Sequence, residues 1–470
     1  MSALVTSNPA TGEPLAEYAT FTDADVDAAL DRAAEAQQEW AARPIGERAV
    51  VLRRVAAILR DEIDDLALLM TREMGKPLVE ARAEVEKCAT TCDFYADNAA
   101  AFLADESVVT SADRSWISYE PVGVVLAVMP WNFPLWQVLR FAAPALMAGN
   151  GALLKHSPNT TGCALAVQRV VTAAGAPDGL FGALVVAEAD VPTVTRRLIG
   201  DPRVGAVTIT GSERAGRAVG VAAGDAIKKS VLELGGSDAF VVLADADLPR
   251  VAALAARGRL MNAGQSCISP KRLIVDASVA EEFTRLLVAE VEALVVGDPE
   301  APGTHVGPMA RADLRDGVHR QVEASVAAGA RLLAGGRPLP GPGCFYAPTV
   351  LGDVVPGVPA YDEEVFGPVA AVIVAQDEDD AVRIANDTRF GLGASVWTTD
   401  PERGIAVARR IRSGAAFVNA LVASDARMPF GGTRASGYGR ELAAAGIREF
   451  VNVRTWWVLD QPAGSAPVSE

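Results

Sequence analysis

From residue 122 onward, short apolar runs alternate with helical stretches, and few architectures accept that order. The runs at 122–129, 151–155, 184–186 and 206–210 are strand-sized, and helical apolar spacing fills 136–147 and 163–174 between them. That alternation argues for βαβ units around a parallel sheet. A second series begins near 240. Its candidate strands are 240–242, 272–275, 369–374, 394–397 and 415–418, with a helix over 248–260. Ahead of both, residues 23–40, 45–71 and 78–104 read as Ala-rich helices, broken by Met74-Gly75-Lys76-Pro77. Residues 334–343, rich in Gly and Pro, read as a surface excursion. A Val- and Trp-rich strand over 450–459 follows the last helix and is free to join another subunit's sheet. The tail 461–470 reads as loose. A chain of 470 residues, half of them hydrophobic, is expected to form two or three domains.

The formal net charge of −16 disfavours nucleic acid and acidic membrane surfaces as partners. Five cysteines (Cys88, Cys92, Cys163, Cys267, Cys344) form no disulfide framework or metal knuckle. Cys88 and Cys92 share one helical face and read as core. The three histidines lack metal-ligand spacing, so no metal site is expected. Neither a charged leader followed by an apolar run nor an apolar run of membrane-spanning length is present, and a cytoplasmic protein is expected.

Cys267 ends Asn262-Ala263-Gly264-Gln265-Ser266-Cys267, where a helix runs into a small-residue turn. Small neighbours give a thiolate access and nearby backbone N–H groups. A lone cysteine is more often a small buried hydrophobe. Its company changes the balance: Glu233-Leu234-Gly235-Gly236 and Pro130-Trp131-Asn132-Phe133-Pro134 supply a carboxylate and an amide. A nucleotide signal accompanies them. The strand 206–210 leads into Gly211-Ser212-Glu213-Arg214-Ala215-Gly216 and then a helix, a place for phosphate on backbone N–H groups. The spacing is not the dinucleotide fingerprint, and a plain helix start competes equally. Lys155, at the end of the strand 151–155, sits where α/β sheets bind ligands, although a solvated strand end explains a lone lysine too.

Together with Glu364-Val365-Phe366-Gly367-Pro368 and Pro429-Phe430-Gly431-Gly432, these blocks resemble, in order, the aldehyde dehydrogenase superfamily over roughly residues 8–459. Lys155-His156-Ser157-Pro158-Asn159 and Ser424-Asp425-Ala426-Arg427 are similar to bacterial succinate-semialdehyde dehydrogenases. The resemblance implies an α/β, aldehyde dehydrogenase-like fold in three parts. A Rossmann-type NAD(P)-binding domain would take residues 1–114 and 122–235, and an α/β catalytic domain 236–449. A small β oligomerisation hairpin would take 115–121 and 450–462, in a homodimer or homotetramer.

By the same resemblance, Cys267 is the nucleophile and Glu233 the base that activates water. The Asn132 amide and the Cys267 N–H bind the oxyanion. Lys155, Trp131, Gly211, Ser212, Glu364 and Phe366 hold the dinucleotide. Arg140 and Ser424 hold the substrate. Pro158 replaces a glutamate common in NAD-preferring relatives, so NAD or NADP is expected. Some relatives place a second substrate arginine where this chain has Met261, and nearby Arg427 is a candidate replacement. The implied reaction is aldehyde to carboxylic acid through a thiohemiacetal and thioester, with succinate semialdehyde as the expected substrate. A broad-specificity aldehyde dehydrogenase, a coenzyme A-acylating enzyme and a structural protein keeping only the fold are the competing readings.

Overall fold

A computed structural model describes residues 3–460; the tail 461–470, with the last two residues of the expected oligomerisation segment, lies outside the described residues. Two sheets organise the chain. The first has six strands in the order Gly437–Tyr438, Lys229–Glu233, Val204–Thr210, Val124–Met129, Gly151–His156 and Phe181–Ala183. Only the Gly437–Tyr438 edge is antiparallel. From Val124–Met129 the chain builds outward on one side, then returns to the other side at Val204–Thr210. The carboxyl ends of those two strands therefore flank a topological switch point, where such sheets bind ligands. Pro130–Pro134 and Gly211-Ser212 both leave the sheet there.

The second sheet has seven strands in the order Arg331–Ala334, Thr349–Gly352, Val369–Ala375, Pro270–Asp276, Asp238–Val242, Gly393–Trp397 and Ala415–Val418. Here too a single edge pair is antiparallel. The chain passes from Glu233, which ends a strand of the first sheet, to Asp238, which begins the first strand of the other, through four residues. That link sets the carboxyl edge of the first sheet toward the amino edge of the second. Cys267 precedes the strand Pro270–Asp276 at that amino edge.

A third sheet pairs Val451–Val458 with Arg114–Pro121, and Arg114–Pro121 with Glu106–Ser107, all antiparallel. Trp116 and Trp456 stack across it at 5.2 Å. Its outer strand leaves Val453 and Trp457 more than half exposed.

The helices Trp136–Met147 and Leu248–Leu260 have the expected bounds. Every residue of Trp136–Met147 is buried, and its start is held electrostatically. The Glu84 carboxylate accepts from the Leu135 and Trp136 N–H groups (3.0 and 2.9 Å) and pairs with buried Lys76. Those N–H groups are among the four a helix cannot satisfy internally. Gly75 ends the helix Ile63–Met74 at φ +83°, and a Cβ there would meet Pro308 Cγ at 2.7 Å. The break at 74–77 thus delivers Lys76 to the core.

Two expectations need correction. The helix expected over 45–71 is two, Ile45–Asp61 and Ile63–Met74, because Glu62 leaves helical geometry (φ −105°, ψ 18°) and turns its carboxylate to Arg169. The strand expected at 184–186 is Phe181–Ala183; the run Leu184-Val185-Val186 is buried beyond it, and its apolarity reflects burial rather than strand pairing. The N-terminal hairpin Ala3–Ser7 with Pro14–Ala19 was not foreseen. No helix among the described residues is long and apolar enough to cross a membrane.

Arg259, fully buried in the helix Leu248–Leu260, donates to the carbonyls of Gly264, Val365, Gly367 and Val369 and to the Ser269 hydroxyl. A lysine cannot reproduce that fan. Arg259→Lys is expected to cost on the order of 3 kcal/mol through orphaned carbonyls, read as a lowered urea midpoint; an unchanged midpoint would contradict this role.

Candidate active site

A cavity of about 680 Å³ brings together Cys267, Phe133, Trp136, Arg140, Met261, Ser424 and Phe430. Cys267 enters it on a strained turn. Asn262 and Ala263 both lie at φ 52° and Gly264 at φ 71°. A Cβ on Gly264 would come within 2.2 Å of the Gly367 carbonyl, so glycine is required on space as well as angle. The strain is held by a dense polar net. The Glu80 carboxylate accepts from Asn262 N–H at 2.9 Å, and Asn262 Nδ2 donates to the Asn132 and Gln265 carbonyls. The Asn132 amide donates to the Gln265 carbonyl at 3.1 Å. Lys271 Nζ donates to the Ser266 and Cys267 carbonyls, each at 2.8 Å. Asn132 thus stands beside the turn that carries Cys267, with a second amide hydrogen still available.

The thiol is partly open to the cavity but closed in elsewhere by protein. That burial pushes it up to about 11, against the lowering influence of Arg140 and Lys271. Cys88, Cys92 and Cys163 are buried, and the same cause lifts their thiols.

Glu233 is 2 % exposed and does not line the cavity. Neither of its oxygens has a hydrogen-bond partner among the described residues. Burial, then the Glu441 carboxylate, hold its acid form well above the usual range, and Arg140 opposes them. An unpartnered buried carboxylate favours proton exchange with a water or a reacting group.

Arg140 lines the cavity, but its guanidinium is already engaged. It pairs with buried Glu441, donates to Thr210 Oγ1 at 3.3 Å and lies 4.9 Å from the Phe430 ring centroid. Ser424 lines the same cavity. Arg427 does not: it is exposed and tied to Asp425 in its own turn at 2.6 Å. The suggestion that Arg427 replaces the missing arginine is therefore corrected, because its charge is answered locally. Sequence reasoning missed Lys87, Glu80, Lys271 and Glu441. Each is a charged residue without a local motif, and only packing reveals its direction.

The cofactor candidates flank the switch point. Lys155 sits half-buried at the end of Gly151–His156, and burial draws its ammonium down to about 8. Gly211 N–H donates to the Glu233 carbonyl, and a Cβ on Gly211 would meet nothing nearer than 3.8 Å, so the approach is open. Ser212 caps the helix Glu213–Asp225 by accepting from Ala215 N–H. Glu364 accepts from Gly236 N–H at 3.1 Å and lies 3.4 Å from Lys271. Trp131 and Phe366 meet edge-on at 5.9 Å. A lysine, an open glycine at a helix start and a carboxylate beside aromatic rings are a donor set that fits a dinucleotide laid across this edge.

The sequence model of the Aldehyde dehydrogenase family matches residues 2–456. The chain is 50% identical over 456 residues to a Synechocystis protein named as a probable succinate-semialdehyde dehydrogenase (NADP+), covering 97% of this chain and 100% of that one. It is 48% identical to the succinate semialdehyde dehydrogenase (NAD(P)+) of Escherichia coli, covering 96% and 97%. It superposes on the succinic semialdehyde dehydrogenase of Streptococcus pyogenes, solved with NADP+, with a TM-score of 0.94. That match has 37% identity and covers 97% of this chain and 100% of the other.

In the free protein, iodoacetamide should label Cys267 ahead of Cys88, Cys92 and Cys163. The rate should climb roughly tenfold per pH unit between about pH 7 and 10, because the reactive thiolate forms only as pH nears about 11. A rate already flat above about pH 8 on peptide mapping would mean a preformed thiolate, contrary to this site.

Proposed function

The chain belongs to the aldehyde dehydrogenase family, and on that premise we propose that it oxidises succinate semialdehyde to succinate with NADP or NAD. The observation that carries this reading is the shared cavity. An aldehyde carbon placed at Cys267 has Arg140 and Ser424 on the walls around it, so a carboxylate at the far end of a short chain meets a hydroxyl and the field of an arginine whose guanidinium is paired with Glu441. The names of the relatives point the same way.

In this reading the Cys267 thiolate adds to the aldehyde carbon and makes it tetrahedral. The free hydrogen of the Asn132 amide and the Cys267 backbone N–H stabilise the oxyanion, one such donor being worth about 3 kcal/mol. Lys271 supports that donor by fixing the Ser266 and Cys267 carbonyls, which keeps the turn from reorienting. A bound nicotinamide dinucleotide supplies the acceptor for the aldehyde's hydride. Lys155 and Glu364 would hold its two ribose ends, with Gly211 and Ser212 beside the pyrophosphate and Trp131 and Phe366 near the nicotinamide. The thioester left on Cys267 is then hydrolysed, with Glu233 taking a proton from water. The buried oxygens of Glu233, without a hydrogen-bond partner among the described residues, support that role.

Pro158 starts a short 3-10 turn and offers no carboxylate to repel a ribose 2′-phosphate, which supports use of NADP. The strand Val451–Val458, with exposed Val453 and Trp457, supports a homodimer or homotetramer built on that edge. Five free cysteines support a reducing, cytoplasmic setting.

An aldehyde panel run with NADP and NAD tests the reading. Succinate semialdehyde should exceed butanal in kcat/KM by about tenfold or more, since a hydrogen bond to a charged group is worth about 1.5–3 kcal/mol; equal values would mark a broad-specificity enzyme. Cys267→Ala should abolish oxidation while dinucleotide binding persists, and turnover in that variant would remove Cys267 as nucleophile. Glu233→Gln should slow deacylation by about 10²–10⁴-fold, so that acyl-enzyme accumulates in the mass spectrum. Because the folded protein holds Glu233 in its acid form well above the usual range, wild-type hydrolysis should rise with pH as the carboxyl ionises. The Gln variant should lack that rise; a parallel rise in both would place the base elsewhere.

A further inference from the structure

Of the arginine positions that bear on how this cavity could hold an anionic substrate end, none offers a charge that is both drawn out of water and unpaired. Arg140 is paired with Glu441. Arg427 is exposed and paired with Asp425. Position 261 is a methionine. Arg257 also lines the cavity and has no ion pair among the described residues, but it is exposed, and Glu80 lies within its electrostatic reach.

Lys87 is different. It lies on the helix Leu78–Phe102, lines the same cavity as Cys267 and is half-buried. Its Nζ sits 4.2 Å from the Trp136 ring centroid and donates to Ser424 Oγ at 2.7 Å. It forms no ion pair among the described residues. Glu84 and Asp425 act on it only at longer range, and Arg140 adds like charge. An ammonium drawn out of water without an anion is costly, and burial pulls Lys87 down to about 8. The π-face of Trp136 offsets part of that cost and fixes the ammonium's position. What the arrangement lacks is an anion with room to enter.

We propose that Lys87, together with Ser424, binds the distal carboxylate of the substrate, and that this pair does the work of the arginine absent at position 261. The inference rests on the semialdehyde reading above and deepens it. Ser424 has the donor side of its hydroxyl free while it accepts from Lys87, so lysine and serine can both donate to one carboxylate. Selectivity then belongs to two segments, the helix Leu78–Phe102 and the loop at 424, brought together over 337 residues of chain. The reach from Cys267 to Lys87 sets the chain length preferred. Arg140, held by Glu441, contributes its field rather than a released hydrogen-bonding fork.

Lys87→Met, Lys87→Gln and Lys87→Arg, each checked for a wild-type thermal melt, test this with succinate semialdehyde and butanal. Lys87→Met and Lys87→Gln should raise KM for the semialdehyde at least about tenfold more than for butanal, with the change in KM rather than kcat. Lys87→Arg should restore most of the preference. A binding readout runs beside it: succinate should protect Cys267 from iodoacetamide in the wild type and much less in Lys87→Met. Equal KM rises for both aldehydes would reduce Lys87 to a packing residue, and an unchanged semialdehyde KM would overturn the proposal outright. The wild type separates the two levels of argument. If it prefers the semialdehyde but the Lys87 variants keep that preference, only this inference fails. If it shows no preference, the semialdehyde reading fails first and this inference with it.

Discussion

The guanidinium of Arg259 holds the turn before Cys267 in register with the loop at 365–369. All five of its N–H groups find acceptors, four of them backbone carbonyls. The acceptors belong to two segments. One is the turn that presents Cys267, and the other is the loop at 365–369 that follows Glu364 and contains Phe366. An enclosed cation with no paired carboxylate among the described residues is tolerable only when every donor is met. The same satisfaction that makes Arg259 affordable locks the proposed nucleophile, Cys267, against the proposed nicotinamide side. Lys271 repeats the device, holding the Ser266 and Cys267 carbonyls while facing Glu364.

Around this frame the interior is unusually ionic. Lys76 pairs with Glu84 and Arg140 with Glu441, all four side chains nearly inaccessible. Buried pairs are weak evidence of stability, since apolar residues of similar volume often serve as well. Their placement gives a better reason. Glu84 caps the helix that carries Arg140, and Arg140 lowers the cost of a negative charge on both Cys267 and Glu233. Burial opposes those charges more strongly. The resting site therefore favours a neutral thiol and a neutral carboxyl, with cations close enough to stabilise either once it ionises.

Much of the fold was legible because its signals are local. Strand-sized apolar runs and helical spacing placed Trp136–Met147 and Leu248–Leu260 to the residue. The break at Glu62 was not legible, since the apolar pattern continues across it and one backbone excursion ends the helix. The run 184–186 misled because burial and strand pairing leave the same apolar trace. In the site, the Pro-Trp-Asn-Phe-Pro block, the Glu-Leu-Gly-Gly block and the turn before Cys267 could be read because each packs its chemistry into a few consecutive residues. Lys87 could not. A lysine on a long helix has no sequence mark that separates a solvated side chain from one aimed into a cavity.

By itself the sequence determined which chemical groups exist and in what order the elements bearing them follow, because the candidate nucleophile, turn glycines and strand periodicity are short-range properties of the chain. The tertiary structure alone decided which charges meet. It set Arg140 against Glu441, left the oxygens of Glu233 without hydrogen-bond partners among the described residues and placed Lys87 on Ser424 at 2.7 Å. Electrostatic pairing depends on distance and burial across packed elements, and no local pattern encodes either. The aldehyde chemistry could therefore be read from the chain, while the proposed means of recognising one aldehyde among many emerged only where the helix Leu78–Phe102 and the loop at 424 come together.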